Sequence, residues 1–109
     1  MGGIIMEKSN KTFSKDSTDL LVAFFKSIAL NYVDERHVCN KIIRLLLGAS
    51  CAQLAQKVEV SKQTICNYES GKPVLRPVER VIEIELDLLI EDCDRDDVKD
   101  LCRQLQSNR

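Results

Sequence analysis

The chain has 109 residues, 44% of them hydrophobic and 30% charged, with no Trp, two Pro and four Gly. That is one domain's length and a globular composition, which excludes a disordered chain, disfavours a turn-rich all-β fold, and leaves the core to Leu, Ile and Val. The net charge of −1 hides a gradient: residues 1–39 are balanced, residues 40–76 carry six basic against two acidic groups, and residues 77–109 five basic against ten acidic. A basic middle suits a polyanion; an acidic end suits something else.

Uncharged runs such as residues 20–25 are too short to span a bilayer, and the start lacks the basic and apolar regions of a signal peptide. "MGGIIM" opens like a myristoylation signal, but Met6 stands where Ser or Thr is required; Met6 is equally an alternative start. The five cysteines, at 39, 51, 66, 93 and 102, form no C-x-x-C pair, and His37 lies two residues from Cys39, which is no zinc spacing. The expectation is a cytoplasmic chain with reduced thiols, no metal, no cofactor and no membrane contact.

Residues 1–13 lack periodicity and read as a mobile tail ahead of a single domain over 14–109. Ser17 is the expected cap of a helix reaching about Tyr32, with Leu21, Phe24, Phe25, Ile28 and Tyr32 as its apolar face. Asp34 is expected to cap a second helix to Leu47, with Val38, Ile42, Leu45 and Leu46 inward and Gly48 ending it. A short helix follows from Cys51 to Lys57, then a break at Glu59. The next helix is capped by Ser61, runs to about Ser70, and is stopped by Gly71 and Pro73. Residues 76–91 predict a long helix with Val78, Val81, Ile82, Leu86 and Leu89 on one face and Ile84 and Leu88 off it. Asp94 is the expected cap of a last helix carrying Val98, Leu101, Cys102 and Leu105. With six helices and no strand or repeat, the fold class is all-α.

Two short helices joined this tightly must cross steeply, so the corner between them needs small or interlocking residues. Ala55 is the small contact; Leu54, Val58 and Val60 fill the inner angle, and Ile65 and Tyr68 point back from the second helix. Lys62, Gln63, Thr64, Cys66 and Asn67 are left on or near the outer face, with no acidic group among them.

These residues, with Arg44 four before Gly48 and the runs "AQLAQKV", "VSKQTI" and "NYESGK", resemble the phage-repressor-like (Xre or Cro-type) helix-turn-helix family over about residues 40–92. The resemblance implies a lambda-repressor-like core, motif 51–70, extended by the N-terminal helix and an acidic helical extension over 93–109. It implies that the second motif helix enters the DNA major groove while the first crosses the backbone. It also implies an ion pair between Arg44 and Glu69. The chain departs from the family at Cys51, where Gln usually touches a phosphate, and at Glu59, where Gly usually forms the turn; a left-handed Glu59 costs on the order of 1 kcal/mol.

On this reading Lys62, Gln63 and Asn67 are candidates for base readout. Thr64, Lys57, Lys72 and Arg76 are candidates for backbone contact. The expected partner is double-stranded DNA, bound at a palindromic operator by a homodimeric repressor. Surplus apolar surface lies around Phe24, Phe25 and Ile28 and around Ile84 and Leu88. The alternative is a helix-turn-helix protein-interaction module, or an antitoxin, binding a protein partner through the acidic half. "EDCDRDD" does not make a calcium loop, because Asp97 stands where Gly is needed and Arg103 where the bidentate Glu is needed. One His, no metal cluster and no phosphate-binding Gly loop argue against an enzyme.

Overall fold

A computed structural model describes residues 15–28 and 30–109; the expected tail over 1–13 lies outside the described residues. Among these residues are six α-helices: α1 (Lys15–Ser27), α2 (Arg36–Leu47), α3 (Cys51–Val58), α4 (Lys62–Glu69), α5 (Arg76–Glu91) and α6 (Asp96–Asn108). A 3₁₀ turn, Leu30–Tyr32, lies between α1 and α2. The fold is all-α, with no strand among the described residues. No single described helix is long and apolar enough to cross a membrane.

Helix α2 is the hub. It packs against α1, α4, α5 and α6 and buries Cys39, Ile42, Ile43 and Leu46 together with the polar Asn40 and Arg44. Gly48, left-handed at φ 75°, ends α2, and the chain turns through 109° into α3. Lacking a Cβ, Gly48 takes this left-handed conformation without the strain another residue would carry. Helix α6 closes the other side with Val98, Leu101, Cys102 and Leu105, the face its periodicity predicts.

Three expected caps are not where the sequence suggested. Helix α1 begins at Lys15, so Ser17 lies inside it. The residue before α2 is Glu35, not Asp34, and its side chain makes no capping bond. The residue before α6 is Arg95, not Asp94; there the Asp97 carboxylate accepts the Val98 N–H at 2.8 Å and the Arg95 fork, whose hydrogen bonds hold the Asp97 pKa down at about 2.

The apolar face of α1 is also rotated from expectation. Val22, Phe25 and Leu30 are buried, whereas Phe24, Ile28 and Tyr32 are exposed, Tyr32 at 81%. Within the helix the inward arc runs through Leu21, Val22 and Phe25 and leaves Phe24 outside it; beyond the end at Ser27 the helical period no longer applies, so Ile28 and Tyr32 fall outside the core and Leu30 of the 3₁₀ turn is buried instead. On α5 the inward face is Ile82, Glu83, Leu86 and Ile90, with Val81 exposed. An apolar count misses a face that includes a buried carboxylate.

Candidate nucleic-acid interface

Helix α3 starts with a reciprocal capping box: the Gln53 N–H donates to Ser50 Oγ at 3.0 Å, and the Ser50 N–H to Gln53 Oε1 at 2.8 Å. The S-x-x-Q spacing of residues 50–53 is the sequence signal for this cap. The helix ends at a left-handed Glu59 (φ 64°, ψ 43°), where the Val60 N–H reaches back to Ala55 O at 3.0 Å and the Glu59 N–H to Gln56 O at 3.3 Å. Ser61 then opens α4, its Oγ accepting the Thr64 N–H at 3.1 Å and lying 2.9 Å from Thr64 Oγ1. Two helices of eight residues each are therefore separated by only three residues, and they pack directly on each other through Leu54, Ala55, Val58 and Ile65.

Two polar clamps hold the inner face of α4. In the first, Arg44 donates to Glu69 through Nε (2.6 Å) and Nη2 (3.0 Å), while its Nη1 donates to Ala49 O at 2.8 Å. Both side chains are almost fully buried, Arg44 at 6% and Glu69 at 7% exposed. Burial opposes the Arg44 charge, but the fork to Glu69 more than offsets it, and the guanidinium pKa rises. Cys51 belongs to this cluster: its thiol lies 3.7 Å from Glu69 Oε1 and neighbours Cys66, and burial raises its pKa.

The second clamp was not anticipated. Asn40 Nδ2 donates to Tyr68 Oη at 2.7 Å and to Glu83 Oε2 at 2.9 Å. Arg36 Nε reaches the same Glu83 oxygen at 2.6 Å, and Arg109 donates to Asn40 Oδ1. This network links α2, α4, α5 and the end of α6. Burial pushes the Tyr68 phenol up to about 12. Its members are far apart in sequence and individually unremarkable in type, so only their assembly shows the role.

The outer face of α4 carries Lys62 and Gln63, both exposed, and the half-buried Thr64 and Asn67. Gln63 Nε2 donates to Asn67 Oδ1 at 2.9 Å, one turn along, so the two amides are already aligned. The hydroxyl of Thr64 is taken up with the cap. Thus four of the candidate residues share one short helix. The other three come from separate places: Lys57 from the last turn of α3, Lys72 from just beyond α4, and Arg76 from the start of α5, all exposed. None of Lys57, Lys62, Lys72 and Arg76 forms an ion pair among the described residues. Among those residues no group of three or more His, Cys, Asp or Glu side chains is placed to hold a metal ion, the Asp94 to Asp97 run included.

No family model, no curated protein and no solved structure matches the chain.

Proposed function

We propose that the chain is a sequence-specific DNA-binding regulator, a dimeric repressor in which α3 and α4 act as a helix-turn-helix unit. One observation carries the reading: α4 is fixed from behind by two buried polar clamps, while its outer face offers Lys62, Gln63 and Asn67 with no acidic side chain. Base readout needs this combination, because a hydrogen bond to a base edge is lost within a few tenths of an ångström and rigid support keeps the donors in register. Gln63, in the first turn of α4, can pair bidentately with adenine; Asn67 serves a neighbouring base or a phosphate, and Lys62 a guanine or the backbone. Lys57, Lys72, Arg76 and the Thr64 segment supply backbone contacts, which position the protein without reading sequence.

Cys51 takes part in the Arg44–Glu69 cluster, so it gives no phosphate clamp at the start of α3. Affinity on this reading rests on the exposed cations and falls steeply with salt as counterions are released.

Selection of bound sequences from random duplex DNA, followed by titration at several salt concentrations, tests the proposal. The expected result is a two-fold symmetric preferred site with half-sites about 34 Å apart and a linear fall of log K with log salt. Absence of duplex binding even at low salt overturns it and returns the helix pair to a protein-interaction role.

A further inference from the structure

Of the five thiols, Cys39 and Cys102 are fully enclosed, while Cys51, Cys66 and Cys93 are half-buried. Cys93 has the enclosed Cys102 for its sulfur neighbour, and burial pushes the Cys102 pKa up to about 12. Cys51 and Cys66 differ from that pair: both are half-buried, and they stand on the two helices of the motif. The Cys51 thiol lies 3.7 Å from Glu69 Oε1, and Cys66 precedes Glu69 by one turn on the same side of α4. Both sulfurs border the Arg44 guanidinium, and the Cys51 thiol neighbours that of Cys66. The first residue of α3 and the middle of α4 thus bring two thiols to one corner.

The clamp itself does not need them. The Arg44 fork already engages both Glu69 oxygens, and a thiol is a weak donor beside a guanidinium. A bond between the two sulfurs would close a loop over residues 51–66 that contains the left-handed Glu59 and the Ser61 cap.

We infer that Cys51 and Cys66 form a reversible disulfide that staples α3 to α4. The oxidant is a peroxide. One thiolate attacks its O–O bond and becomes a sulfenic acid, the sulfur giving up two electrons as water or an alcohol leaves. The second sulfur then attacks the first, the S–S bond forms, and water leaves. Burial raises the Cys51 pKa and slows attack by that thiol, so the first attack falls to Cys66. A thiol reductant reverses the bond by exchange. Bonding draws the sulfurs to about 2 Å and so pulls α3 and α4 together. Cys66 lies one turn beyond Lys62, between the clamp and the outer face. A base contact is lost within tenths of an ångström, so oxidation weakens recognition; this last step rests on the DNA-binding reading.

Peptide mapping tests the bond without DNA. The reduced full chain is treated with one equivalent of hydrogen peroxide, alkylated and cut with trypsin. Cleavage after Arg44, Lys57, Lys62 and Lys72 leaves Cys51 in the peptide 45–57 and Cys66 in 63–72. The expected product is these two peptides joined, at a yield independent of protein concentration and abolished by dithiothreitol. Oxidation should also raise the urea midpoint of wild type and leave that of Cys66→Ser unmoved, because the closed loop restricts chiefly the unfolded chain. The two peptides recovered apart and alkylated, or joined instead to those holding Cys39, Cys93 or Cys102, overturn the inference. So does a joined pair formed only at high concentration, which is a bond between chains. On the preferred duplex the oxidised chain should bind about tenfold more weakly and recover on reduction, with Cys66→Ser indifferent to peroxide. Unchanged affinity with the bond formed overturns its effect on recognition. A reduced chain that binds no duplex overturns the DNA-binding reading and leaves the peptide map to decide the disulfide.

Discussion

On α4 the side chains turned from the core are Lys62, Gln63 and Asn67; on α5 they are Val81, Ile84 and Leu88. Both helices bury their other face against α2, so burial alone does not separate them. What separates them is what the outer face loses when covered. Amide and ammonium groups demand new hydrogen bonds from whatever covers them, whereas aliphatic groups gain from any dry surface of fitting shape. The two helices also differ in anchorage: α4 spans only eight residues and is held by both polar clamps, while α5, with sixteen, shares only the second, through Glu83, and adds the aliphatic packing of Ile82, Leu86 and Ile90.

The sharpest way to break this comparison is to remove the anchor of α4. Arg44→Ala leaves the Glu69 carboxylate buried without its fork, and stability should fall by about 3–5 kcal/mol, read from urea unfolding. Ile84→Glu on the outer face of α5, measured in the monomer, should change stability by no more than about 0.5 kcal/mol. If Arg44→Ala costs under about 1 kcal/mol, α4 is not held by the pair and its rigidity needs another source.

The second clamp is tested by alkaline pH. An unfolded tyrosine titrates near about 10, whereas Tyr68 in the folded chain titrates at about 12. Between those values the unfolded state releases a proton that the folded state keeps, so stability is intact below about pH 10, falls as pH rises, and has lost roughly 2–3 kcal/mol once the folded phenol has titrated. Tyr68→Phe removes this contribution. It should be less stable than wild type at neutral pH by about 1–3 kcal/mol, since Asn40 loses its acceptor, yet show a shallower alkaline decline. Parallel declines for the two proteins would show that the phenol is not the titrating group.

The contrast also shows what the sequence could convey. The spans of α3, α4 and α5 were legible to within a residue or so, because Gly48, Ser61, Gly71 and the Ile82–Leu86 period are local signals. The caps proposed at Ser17, Asp34 and Asp94 failed because an acidic or hydroxyl residue near a helix start fits several registers, and tertiary contacts choose among them. The face of α1 failed at Ile28 and Tyr32 because its period was carried past the true end at Ser27, and at Phe24 because the buried arc centres on Val22 and Phe25. In the candidate site, the Arg44–Glu69 pair was suggested by a resemblance and the polar outer face of α4 by position. The Asn40–Tyr68–Glu83 network was invisible, since its three members are 28 and 43 residues apart in sequence.

At the outer face of α4 the expected effects are smaller and selective. Gln63→Ala should lower affinity for a preferred duplex by about 1–3 kcal/mol and relax selection at one base position. Lys72→Ala should weaken preferred and scrambled duplexes alike and make the salt slope shallower by about one phosphate's share. Competition titrations with both duplexes separate the two. Equal losses for Gln63→Ala on both would show that α4 does not read bases through Gln63, and α4 would then resemble a charged surface more than a reading head.

The smallest effect concerns the turn that sets α4 in place. Helices α2, α3 and α4 all end in the same way, with a left-handed residue and an N–H one position later bonded to the carbonyl five residues back: Ala49 to Arg44, Val60 to Ala55, and Lys72 to Asn67. At the first and third ends the left-handed residue is Gly48 or Gly71; at the second it is Glu59, the only non-glycine residue with positive φ among the described residues. At Gly71 an added Cβ would meet the His37 ring at 3.0 Å, so steric room as well as φ calls for glycine there. Glu59 is exposed, and its strain is one of backbone alone. Glu59→Gly removes a Cβ penalty of roughly 1 kcal/mol but gives the unfolded chain more freedom, at about 0.4–1 kcal/mol, so the change should be neutral to a gain of about half a kcal/mol. On the DNA-binding reading it also removes a carboxylate from the approach to the backbone, and affinity should rise for all duplexes with little change in preference. Thermal unfolding and the same competition titration check both parts. A clear loss of stability would mean that the Glu59 side chain supports the turn, while improved affinity confined to one sequence would place Glu59 among the groups that read it.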